Sequence, residues 1–165
     1  MPITSGQLKL FLTGGAANAD PDASLGGATS SVEFVNNTLE NLFSHVPPPE
    51  AIAGSVKYRA LAFKNTSGLT AYGVVVYVST ETSLADTTVA IAYDSAGTQD
   101  VADEDTAPSS PALSFSTPLS LAAGISLGDV AAGAEARIWF RRTVDAGAAV
   151  AAADTGAVRF YAGTI

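Results

Sequence analysis

A few places in the chain bring together residue types able to do chemistry. Gly124-Ile125-Ser126-Leu127-Gly128 matches the nucleophile-elbow pattern, in which a serine sits on a turn between a strand and a helix and works with a later carboxylate and histidine. No histidine follows Ser126 and no helical pattern follows Gly128, so the segment reads as a turn between short strands. His45 is the only histidine. Zinc needs three or four protein ligands, and with no cysteine to help, His45 is expected simply to sit at a bend before Pro47-Pro48-Pro49. Spacing alone leaves a Ser-His-Asp arrangement through His45 open. Asp100, Asp103, Glu104 and Asp105 have the oxygen chemistry that calcium prefers, but no glycine lies at the sharp turn and no glutamate closes an EF-hand loop. They read as a solvated acidic loop. With no phosphate-binding loop, dinucleotide fingerprint or paired-carboxylate motif, no convergent catalytic set is visible. The chain is expected not to be an enzyme, with no catalytic, cofactor-binding or metal-ligating residues.

These segments must be positioned by the rest of the chain. Its 165 residues fit one ordinary domain. Hydrophobic residues make up 47% and charged residues 15%, too apolar for disorder and poor in charge against the usual quarter. Low charge with many small residues suits a surface partly covered by neighbours. No apolar run approaches the length of a membrane span, and Met1 to Thr13 lacks the pattern of a secretory signal, so synthesis and assembly in a cytoplasm are expected. Without cysteine, disulfides are excluded. The Asn36-Asn37-Thr38 and Asn65-Thr66-Ser67 sequons then carry little meaning, and Asn65 reads as a turn residue. The net charge of −8 argues against nucleic acid, which needs clustered Lys and Arg. All the basic residues lie in expected strands, whereas the acids sit mostly in loops.

Period-two alternation is the dominant pattern. Expected strands run over 7–12, 31–35, 56–65, 70–79, 87–94, 125–130, 135–144 and 157–161, with short broken strands over 112–121. Thr66-Ser67-Gly68-Leu69 carries a hairpin signature. In the strand that follows, Tyr72, Val74, Val76 and Val78 are expected on one face and Val75 and Tyr77 on the other. Residues 38–46 are expected as a strand or one helical turn, and the three prolines as an extended stop. Residues 14–30 read as a long loop or arm, and 145–155 as a loop. About eight short strands separated by turn signals predict an all-β antiparallel sandwich, immunoglobulin-like or jelly-roll-like. Residues 1–50 supply a strand, an arm and a Pro-rich linker packed on a sandwich of residues 51–165.

Trp139 alternates with Arg137 and Arg141 opposite Ile138 and Phe140. An outward Trp flanked by Arg has the composition of an interface hot spot. The competing reading is that both sheet faces are covered and Trp139 is core. Candidate interface residues are Asp20, Asp22 and Leu25 on the arm, with Arg137, Trp139, Arg141 and Tyr161 on strand faces. Tyr77, Trp139 and Tyr161 would also suit a carbohydrate-binding face.

Residues 56–68, 76–80, 85–92, 124–129 and 138–144, with the early segment 14–27, resemble a family of tailed-bacteriophage virion proteins. The central strands are similar to the immunoglobulin-like modules of capsid decorations, tail tubes and fibres. The resemblance implies a capsid decoration, or cement, protein on the outer surface of the head. Its implied partners are the major capsid protein and further copies of itself, as a trimer or dimer, with no cofactor, no nucleic acid and no membrane. On this view the arm 14–30 orders on the shell and is dispensable for folding. A tail, neck or fibre component, a carbohydrate-binding adhesion module, and a hydrolase using Ser126 or His45 are the rival expectations.

Overall fold

A computed structural model describes residues 2–36, 38, 40–109, 111–149 and 155–163. The chain is a two-layer antiparallel β-sandwich. Its strands are β1 (Leu8–Thr13), β2 (Thr29–Glu33), β3 (Ser55–Asn65), β4 (Ala71–Thr80), β5 (Thr87–Asp94), β6 (Ile125–Val130), β7 (Glu135–Val144) and β8 (Ala157–Gly163). A five-stranded sheet runs β2-β1-β3-β7-β5 and a three-stranded sheet runs β6-β4-β8. The main core lies between them. It is built from Leu12, Leu61, Phe63, Ile138 and Phe140 on one side and Val74, Val76, Val78 and Leu127 on the other. Phe63 and Phe160 stack across it with ring centroids 5.0 Å apart, within the offset-stacked range.

The five-stranded sheet is covered on both faces, and β3 is accordingly buried without a break from Tyr58 to Phe63. Residues 95–109 and 111–117 lie on its outer face, where Tyr58, Ala60, Ala92 and Trp139 form a second core with Val101, Leu113 and Phe115. Residues 112–121 make no regular strand. Ser116 instead exchanges backbone hydrogen bonds of 2.8 and 3.0 Å with Ile91 on the edge of β5.

The connection 66–69 is not a hairpin turn, because β3 and β4 belong to different sheets. Buried Asn65 dictates the crossing. Its amide donates to the carbonyls of Leu69 (2.7 Å) and Val130 (2.9 Å), and its Oδ1 accepts from the backbone N–H of Ser67 (3.0 Å). These bonds take the chain out of one layer and into the other. Nor do the prolines stop a helix. Pro47 is the N-cap of a short helix, α1 (Pro48–Ala53), whose first turn tolerates proline because its N–H groups lack intrahelical partners anyway. Residues 38–46 contain no regular strand or α-helix among those described. Residues 150–154 of the expected loop 145–155 lie outside the described residues.

β1, β2 and the loop between them are integral to the fold. β1 pairs with β3 from Leu8↔Asn65 to Phe11↔Ala62, and β2 pairs with β1. Residues 14–28 fold back as a compact loop. Thr13 Oγ1 donates to the Ala60 carbonyl (2.8 Å) and accepts from the Gly26 N–H (3.0 Å), while Ala60 N donates to the Ser24 carbonyl (2.7 Å). The segment expected to be a free arm is therefore part of the cover over β3 and β7.

Candidate interaction face

Alternation puts Lys57 and Arg59 of β3 on the same face as Leu61 and Phe63, and the register sets Arg142 of β7 opposite Lys57. Three neighbouring cations on a core-facing surface are costly unless paired. Glu50 of α1 and Glu104 and Asp22 of the loops supply the counter-charge. Lys57 Nζ lies 2.8 Å from Glu104 and 3.1 Å from Glu50. Arg142 Nη2 lies 2.8 Å from Glu50. Arg59 pairs with Asp22 at 2.8 Å and also with Glu104. Phe43 caps the group, its ring centroid 5.7 Å from the Arg59 guanidinium and 5.2 Å from that of Arg142.

Burial works to raise the pKa values of Glu50 and Glu104. Hydrogen bonds from Ser55 and Lys57 to the first, and from Lys57 and Arg59 to the second, outweigh it and hold both below the ordinary carboxylate value. Burial likewise opposes the charge on Lys57, but its bonds to Glu104 and Glu50 raise its pKa. Both oxygens of each glutamate are engaged, so the cluster is a latch holding α1 and the 100–105 loop onto the sheet, with no open position for a substrate or ion. Asp22 belongs to this latch. Asp20 is exposed and caps the turn Pro21–Ala23 by accepting from the Asp22 N–H (3.0 Å). Leu25 is half-buried at the rim of a shallow groove with Gly14, Gly15 and Val101.

Trp139 is 0% exposed and therefore unavailable as a surface hot spot. Gly26, Val101, Leu113 and Phe115 cover it, and Arg137 is buried as well, 3.2 Å from the Thr29 hydroxyl. Arg141 is half-buried with its guanidinium 5.2 Å from the centroid of Phe115. The two sheet faces being covered is the reading that holds for all three. Ser126 lies within strand β6, on no strand-to-helix turn, and its Oγ accepts from the Gly128 N–H (3.2 Å). His45 is exposed, 3.6 Å from Glu40.

The remaining expected residue, Tyr161, leads to a different surface. In β8, Val158 and Phe160 turn inward while Arg159 and Tyr161 turn to solvent. Tyr161 pairs with Val75, Arg159 with Tyr77, and Gly163 with Tyr72 on β4. Strict alternation would bury Tyr72 with Val74, but the register shifts between Ala71 and Val74, and Gly73 adopts a φ of 53°. That bulge returns Tyr72 to the outer side. The signal was in the sequence, since glycine inside a strand marks a bulge. Tyr72, Val75, Tyr77, Arg159 and Tyr161 thus share the outer face of the three-stranded sheet. The 3-10 turn Leu121–Ala123 abuts it, with Gly124 against the side chain of Val75. Of the exposed large hydrophobic residues, Tyr72 and Tyr161 lie on this face, while Leu119 and Leu121 belong to the segment that runs beside β4, where the Pro118 carbonyl accepts from the Val78 N–H (2.9 Å).

Comparison of the chain with protein-family models, curated proteins and solved structures found no match. Among the described residues, no helix is long and apolar enough to cross a membrane.

Proposed function

We propose that the protein is a structural binding module that docks through the outer face of its three-stranded sheet. The carrying observation is that two exposed tyrosines, Tyr72 and Tyr161, share this one face with Tyr77, Val75 and an exposed arginine. Clustered exposed apolar area marks interaction sites, and Tyr and Arg are the residues that anchor interfaces. The resemblance to tailed-phage virion proteins supplies the setting: a decoration protein on the outside of the head, with the major capsid protein and its own copies as partners. The low charged fraction, 15%, agrees with a partly covered surface.

The test is reconstitution on purified heads lacking the protein. Wild type is expected to bind at a copy number comparable to the shell subunit, and Tyr72→Ala/Tyr161→Ala to stay folded by circular dichroism but fail to bind. A copy number of a few per particle would move the protein to the tail or a single vertex, and no binding would remove the virion setting. The tyrosine row also favours a second reading, a carbohydrate-binding adhesion module using Tyr77 and Tyr161. Glycan-array binding lost in Tyr161→Ala would support it.

A further inference from the structure

The fold consumes almost all of its own positive charge. Lys57, Arg59 and Arg142 are held in the latch, and Lys9 is paired with Glu33 at 2.6 Å. Arg137 is buried beside Glu135 and Asp94. Arg141 lies on Phe115, and Lys64 lies on Phe11 with Glu135 opposite it in the register. Arg159 alone is both exposed and, among the described residues, without a carboxylate. It stands on the edge strand β8, opposite Tyr77 of β4 and two residues from Tyr161 on its own strand.

We infer that the protein surface seated on this face presents a carboxylate to Arg159, with apolar groups on either side of that carboxylate packing on Tyr77 and Tyr161. This inference rests on the face being the interface and adds the chemistry of its partner. A chain of net charge −8 repels acidic surfaces over most of its extent. One free guanidinium amid aromatic rings is then the position where a carboxylate is accepted, since a planar fork binds it through two hydrogen bonds. Desolvation by the flanking rings strengthens that contact. The same net charge opposes a second copy of this chain as the occupant.

The experiment measures fluorescence anisotropy of extended peptides of alternating Leu and Glu, Leu and Gln, or Leu and Lys, against the full-length protein. Wild type is expected to bind the Leu-Glu peptide, more weakly as salt rises. Arg159→Glu should weaken that binding at least about tenfold and acquire binding of the Leu-Lys peptide. Equal binding of the Leu-Gln and Leu-Glu peptides by wild type, or no binding of any peptide, overturns the inference. So does preferential binding of an acidic polysaccharide such as polygalacturonate, or self-association in sedimentation that Arg159→Glu abolishes. Head binding separates the two levels. If Tyr72→Ala/Tyr161→Ala loses heads and Arg159→Glu keeps them, the face stands and the carboxylate falls. If all three proteins bind heads equally, both fall.

Discussion

Gly26 lies flat against the indole of Trp139: a β-carbon at position 26 would come within 2.7 Å of Cζ2 of the ring and 2.1 Å of the Gln99 carbonyl oxygen. The φ of Gly26 is also +91°, a region side chains rarely adopt. Gly26→Ala is expected to destabilise the protein by about 2–4 kcal/mol, with a red-shifted tryptophan emission where the loop lifts. Deleting residues 14–30 should go further and abolish cooperative unfolding, because it removes the cover of Trp139 and the bonds to Thr13 and Ala60. A folded deletion protein in differential scanning calorimetry would contradict this.

Asn65 is the joint between the layers. Asn65→Ala removes a donor from the carbonyls of Leu69 and Val130 and the acceptor of the Ser67 N–H, the last two of these bonds being buried. A loss of about 3 kcal/mol is expected, read from the urea midpoint. Asn65→Asp should be at least as damaging, since it sets a carboxylate against those carbonyl oxygens.

The latch makes stability depend on acid. Glu50 and Glu104 titrate below their ordinary value of 4.5 in the folded state, so they bind fewer protons folded than unfolded as pH falls through that range. Their contribution is fully present above the unfolded pKa and is lost as pH drops through the lowered, folded one. Denaturant titrations at pH 7, 4 and 3 are expected to show a steep fall in stability that Glu104→Gln flattens. Lys57 has the opposite linkage. Its raised pKa gives stability present below 10.5 and lost only as pH climbs beyond that value.

Neighbouring residues on β8 should behave oppositely. Tyr161→Ala is expected to leave stability within about 0.5 kcal/mol of wild type, as at most surface positions. Phe160→Ala removes the ring stacked on Phe63 and should cost about 3 kcal/mol. Thermal unfolding of the two variants checks both the inward and outward assignments and the independence of the face from the core.

Much of this architecture is legible in period-two alternation. The spans of β5, β6 and β7 and the inward Val158 and Phe160 follow from it directly, because one side of each strand faces a dry core. What alternation misses is set by single side chains and by distant segments. Asn65 turns an apparent hairpin into a crossing between sheets. Gly73 shifts Tyr72 from inside to outside. Pro48 and Pro49 begin a helix whose Glu50 is required by cations in β3 and β7. The burial of Trp139 depends on loops that, read alone, look like mobile linkers. Arg137, Trp139 and Arg141 share a sheet face as expected, but nothing local reveals that Val101, Leu113 and Phe115 lie across it.

The order of strands also governs when the fold can form. Of all the sheet pairings, β1 with β2 alone joins consecutive strands, so no hairpin is available as an early nucleus for either layer's centre. β3 and β5 flank β7, and both wait for a strand made after them. Loop closure on that scale precedes any gain from pairing, which places refolding in the slow, millisecond-to-second regime of non-local β topologies. During that interval β5 and one edge of β3 are unpaired, and the nascent chain depends on β7 arriving before they find strands of another molecule.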